Sequence, residues 1–61
     1  MFEIGDLVFM EEDKYEVAVY GLIVSRVWGK FIEQYYYEID WFDGTNSTEH
    51  ASDIKEVENN G

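Results

Sequence analysis

Two kinds of side chain in this sequence could do chemistry: carboxylates and aromatic rings. Fourteen acids stand against four bases, a net charge of −10. Acids gather in EEDK (11–14) and in the pair Asp40/Asp43. Either group could hold Ca²⁺ or Mg²⁺ weakly, but the EF-hand spacing is missing, and such clusters are ordinarily solvated surface. Paired carboxylates also serve glycoside chemistry, which needs a cleft around them. A chain of 61 residues has little surface left over to build one. His50 is the only histidine, close to Glu49 and Asp53. One histidine without other strong ligands makes no zinc site, so it reads as a solvated loop residue. Cysteine is absent, and no serine or threonine stands in a nucleophile's context. GTNST (44–48) lacks the lysine and the glycine spacing of a phosphate loop. The expectation is a protein that is not an enzyme and has no metal and no cofactor.

The rings concentrate in residues 35–44, YYYEIDWFDG. Tyr35, Tyr37, Ile39 and Trp41 recur at every second position, the period of a strand and not of a helix. Tyr36, Glu38, Asp40 and Phe42 then share the other face. That set holds two carboxylates, so it is the solvent face. The core expected is Tyr37, Ile39 and Trp41 with Ile4, Val8, Ile23, Ile54 and Val57. Tyr36 and Phe42 become exposed rings beside Asp40 and Asp43, which suggests a contact site.

Elements must position these groups. FEIGDLVFM (2–10) alternates, with Phe2, Ile4 and Val8 on one side and Glu3, Leu7 and Phe9 on the other. Gly5-Asp6 reads as a turn or bulge before a strand. EEDK is a polar break. YEVAVYGLIVSRVW (15–28) is rich in β-formers, long for one strand, and bent at Gly21. If Ile23 and Val27 point inward, Leu22, Val24 and Trp28 form an outward strip, wide enough for a homodimer or a docking surface. Gly29 supplies a tight turn. FIEQYYYEIDWF (31–42) is the longest strand candidate, and DGTNST (43–48) is a turn. In ASDIKEVENNG (51–61) the choices are a helical turn capped by Ser52 or a short strand through Ile54 and Val57. Residues 58–61 fray.

Four or five short strands in one domain over residues 1–57 are too few for an ordinary sandwich. They suit a small, strongly bent all-β barrel whose closure removes exposed edges. The order GDLV, YGLIVS, YYYEIDWFDG, DIKEV resembles small SH3-like barrels of four to five antiparallel strands, and Tudor-type domains in particular. It is also similar to small SH3-like proteins encoded by tailed bacteriophages. The resemblance spans roughly residues 2–57. It implies an aromatic cage for methylated lysine or arginine, with Tyr20 and Trp41 at two cage positions. Two positions depart from that pattern. Asp43 runs straight into Gly44, and Met10 or Glu11 stands where a ring is expected.

Charge sets the partner. An acidic chain is repelled by nucleic-acid phosphates and by anionic membranes. Only Lys14, Arg26, Lys30 and Lys55 could contact a phosphate, so direct nucleic-acid binding ranks low. No run is long enough to span a membrane, and no basic segment precedes an apolar one as in a secretion signal. The expected setting is the cytoplasm, or a host's cytoplasm or a virion for a phage-encoded chain. The function expected is a protein-interaction module that binds a partner with a basic surface. It would use Tyr20, Tyr36, Phe42, Asp40 and Asp43, with Trp41 from the resemblance. The alternative is an acidic DNA mimic that inhibits a nucleic-acid-binding protein.

Overall fold

The computed structural model describes residues 2–12 and 17–57. Five strands are present: β1 (Leu7–Glu12), β2 (Val17–Gly29), β3 (Gln34–Trp41), β4 (Asn46–His50) and β5 (Lys55–Glu56). A 3-10 turn, Ala51–Asp53, joins β4 to β5. Every pairing is antiparallel, and the strand order is β4-β3-β2-β1-β5. No α-helix occurs among the described residues. The all-β expectation holds. Of the polar break expected at 11–14, Glu11 and Glu12 instead continue β1, while 13–14 and the tail at 58–61 lie outside the described residues.

The sheet is not closed into a barrel, contrary to expectation. β4 and β5 are its two edges and do not pair. β5 has two residues and reaches only Val8 and Phe9 of β1.

Curvature comes from β2 instead. Its first part, Val17–Leu22, pairs with β1, and Gly21–Gly29 pairs with β3. One 13-residue strand thus serves two ladders that share only Gly21 and Leu22. Gly21 lies opposite Trp41. A Cβ there would stand 2.7 Å from the Asp40 carbonyl oxygen and 2.8 Å from the Trp41 ring. The bare backbone is what lets the indole lie against β2.

The bent sheet folds over Val8, Ile23, Tyr37, Ile39, Trp41 and Ile54, which are buried. All six were expected in the core. Ile4 was expected there too, but it is 62% exposed. It sits in a turn in which Gly5 N–H donates to the Ile23 carbonyl and Asp6 N–H to the Glu3 carbonyl. That turn breaks the alternation, and Phe2 packs on the core instead, edge-on to Tyr37 at 5.3 Å. Val57 is half-buried.

Three further expectations change. The third strand starts at Gln34, not Phe31. Phe31 and Ile32 lie in the turn closed by the Glu33 N–H to Gly29 carbonyl bond, and Phe31 is 98% exposed. Residues 46–50, expected as turn and loop, form β4, because their backbone pairs along β3 from Asn46 to His50. Ser52 does not cap the 3-10 turn. His50 precedes that turn, and no side chain caps it. The tail takes both proposed forms in succession, the 3-10 turn and then β5, with Ile54 buried between them.

Gly21→Ala should destabilise the fold by about 1–3 kcal/mol, the usual cost of forcing atoms into a filled space. Urea unfolding followed by tryptophan fluorescence reads this. An unchanged midpoint would show that the Trp41 seat does not need the glycine.

Candidate functional site

Cross-strand partners share a face, so the registers lay out the outer surface in rows. The first row runs Lys55, Phe9, Tyr20, with Phe42 beside Tyr20 through the Phe42 N–H to Tyr20 carbonyl bond of 2.8 Å. The second runs Leu7, Leu22, Asp40, Asn46. The third is Ser25, Glu38, Thr48, and the fourth Val27, Tyr36, His50.

The first two rows make a continuous apolar patch. Leu7, Tyr20, Leu22 and Phe42 are exposed, Phe42 at 65%. Phe9 lies between them, its ring 5.8 Å from that of Tyr20 and 5.9 Å from Lys55 Nζ. Asp40 stands in the second row, and Asp43 lines the hollow beside Trp41. Asp40 accepts a 2.7 Å hydrogen bond from Asn46 Nδ2. Asp43 accepts from Thr45 twice, at 2.6 Å from the hydroxyl and 2.9 Å from the backbone N–H. The Thr45 hydroxyl bond, and then the backbone bond, hold the Asp43 carboxyl below the usual carboxylate range. Asp40 is thus engaged across the ladder to β4, and Asp43 within its own turn. Among the described residues no group of three or more His, Asp or Glu side chains could hold a metal.

Phe42 and Asp40 therefore lie on one side, as expected, and Tyr20 lies there with them. Tyr36 is on the same face two rows away, half-buried with its ring edge-on to His50 at 4.8 Å. His50 is thus part of β4 and not a loop residue. Trp41 belongs to the opposite face. It is buried, and its indole N–H donates to Ser47 Oγ at 2.7 Å. Tyr20 and Trp41 cannot wall one cage, because neighbouring positions of β2, Tyr20 and Gly21, point to opposite sides. An open hollow of about 280 Å³ does border Trp41. Its other lining residues are Met10, Val19, Asp43, Thr45, Asn46 and Ser47, and it holds no second ring.

The expected strip of Leu22, Val24 and Trp28 is split. A bulge between Ile23 and Ser25 adds a residue to β2. One extra residue inverts every side chain beyond it. Leu22 stays on the outer face. Trp28 pairs with Tyr35 on the core side, the rings 5.0 Å apart, and Arg26 stacks over Tyr35 at 4.9 Å. Val27, expected inside, is 61% exposed on the outer face. Val24 sits exposed at the bulge. Leu7 and Phe9 complete the patch and were missing from the expected site. The alternation of β1 around Val8 already placed them outward.

Compared with protein-family models, curated proteins and solved structures, the chain matches none. The resemblance to Tudor-type and bacteriophage proteins thus has no matching relative beside it. What fold and surface define is a five-stranded antiparallel all-β protein with a ring-bearing outer face. No helix among the described residues is long and apolar enough to cross a membrane.

Thr45→Val should raise the Asp43 titration midpoint, read by carboxyl carbon shifts in NMR. A lowered native pKa gives stability that is present above the unfolded pKa and lost as pH falls through the folded one. The variant should therefore show a shallower loss of stability in that acid window. An unmoved midpoint would remove the Thr45 hydroxyl as the cause.

Proposed function

We propose that the protein is a non-enzymatic interaction module that docks a protein partner with a basic surface on its outer face. Its finer architecture is that of an SH3-like, Tudor-type domain. Support for that type comes from the strand order, with β5 returning to β1 after a 3-10 turn.

The observation that carries the function is the contiguous Phe9, Tyr20, Leu22, Phe42 patch across two strands and the residue after β3. Contiguous exposed apolar area of this kind marks contact sites, and aromatic anchors dominate their binding energy. Asp40 within the patch and Asp43 after it favour a partner carrying Lys or Arg. A net charge of −10 speeds encounter with such a partner. It also makes two copies repel, which disfavours a homodimer through this face. Two of the described bases, Lys55 and Arg26, lie on different faces. Lys55 flanks Phe9 and pairs with Glu11 at 3.6 Å, while Arg26 lies toward the core side with Glu3 at 3.7 Å. That distribution supports a protein partner over direct nucleic-acid binding.

Phe42→Ala should leave the fold within about 0.5 kcal/mol of its stability, as exposed substitutions usually do. It should weaken partner binding by about tenfold or more, the loss of a contact anchor. Affinity capture at low and high salt, with the parent protein and the variant as paired baits, reads both effects. A partner held at high salt by the parent and lost by the variant supports docking through the patch. Capture by both baits alike, confined to low salt and to nucleic-acid-binding proteins, would replace this reading with DNA mimicry.

A further inference from the structure

β4 ends the sheet, and among the described residues it pairs with β3 alone. The phase of the ladder shows which of its backbone groups point away. Trp41 N–H donates to the Thr45 carbonyl on the β4 side, whereas Phe42 N–H donates to Tyr20 on β2. Hydrogen-bonded and non-bonded pairs alternate along an antiparallel ladder. The pairs Ile39/Ser47 and Tyr37/Glu49 therefore exchange bonds within the sheet. Asn46, Thr48 and His50 direct their N–H and C=O groups to the open edge.

Edge strands are commonly blunted by lysine, proline or a bulge. β4 reads NSTEH and runs in unbroken register, so it has none of these. Its surroundings carry one sign of charge. Residues 34–53 contain Glu38, Asp40, Asp43, Glu49 and Asp53 and no lysine or arginine. The hollow beside Trp41 adjoins the start of this edge at Asn46 and Ser47. An added strand gains affinity from main-chain bonds and selectivity from such pockets for alternate side chains.

We propose that the open edge of β4 takes up an extended, basic peptide segment as a sixth strand of the sheet. Charge decides the occupant. A second copy would bring the same anionic strand against this one. A segment with alternating basic and aliphatic residues meets the acids and offers backbone groups in the right spacing. This edge is separate from the outer-face patch, and neither reading depends on the other.

The probe is a fluorescein-labelled peptide of about six alternating lysines and valines, read by fluorescence anisotropy. Two further versions carry N-methyl groups on alternate amides, one version for each parity. Methylation keeps the charge and removes the donors that face one side. The lysine–valine peptide should bind saturably. One methylation pattern should weaken it by about tenfold, the loss of two or three backbone bonds, and the other should not. A glutamate–valine peptide should not bind. Thr48→Pro removes an edge donor at a position where an edge strand tolerates proline, and it should weaken the peptide several-fold. Phe42→Ala should leave it unchanged. If Thr48→Pro unfolds the protein, the methylated peptides on the parent protein still decide. Equal binding of both methylated peptides and the parent peptide would overturn strand addition in favour of charge alone. Absence of saturable binding, or equal binding of the glutamate peptide, would overturn the proposal outright.

Discussion

The seat of Trp41 on Gly21 is the contact on which the rest of the fold depends. The indole covers bare backbone on β2, where no side chain could fit. Its N–H is satisfied by Ser47, which fastens β4. Its backbone N–H bonds Thr45 and its carbonyl accepts from Gly44, which sets the turn between β3 and β4. One residue thus joins three strands and a turn. With six buried core residues among those described, such economy matters. A buried tryptophan removes about 150–250 Å² from water, a large share of what so small a domain can hide. The same seat allows β2 to bend, and the bend separates the concave core from the ring-bearing outer face.

Charge works against this small core. Arg26 to Glu3 and Lys55 to Glu11 are ion pairs at least partly exposed to water, and such pairs contribute about 0–1 kcal/mol. Exposed acids around them repel one another, so the net charge lowers the stability of the compact state. The acids therefore contribute little to holding the fold.

Much of the fold was legible because β3 is regular. Tyr35 to Trp41 alternate without a bulge, and each side chain from Tyr36 to Trp41 falls on the face its parity predicts. The same rule fails in β2 beyond Ile23. Nothing in VSRVW announces an extra residue, and the bulge reverses Val27 and Trp28. β4 was hidden for a different reason. An edge strand that is only partly buried needs no apolar alternation, so NSTEH looks like the turn that precedes it. The expected closure failed because strand count does not fix strand length. β5 pairs over two residues, and no feature of DIKEV sets that number. Of the site, Phe42 and Asp40 were legible from alternation alone, while Tyr20 came from the resemblance. The separation of Trp41 from Tyr20 follows from β2, where adjacent positions must diverge.

The geometry of the two proposed surfaces has a common source. Row two of the outer face runs Leu7, Leu22, Asp40, Asn46, so it begins in the apolar patch and ends on the edge strand. Row three carries Glu38 next to Thr48 in the same way. Acids on β3 therefore stand between rings on one side and open backbone on the other. Rings supply desolvation and the edge supplies directional bonds, while the carboxylates between them select for positive charge. Each term is modest alone, since exposed charges are screened and a single hydrogen bond nets about 1 kcal/mol. They lie on neighbouring strands, β2, β3 and β4, and the two proposals rest on that placement. The half built from β1 and β5 carries Lys55 and lacks that combination.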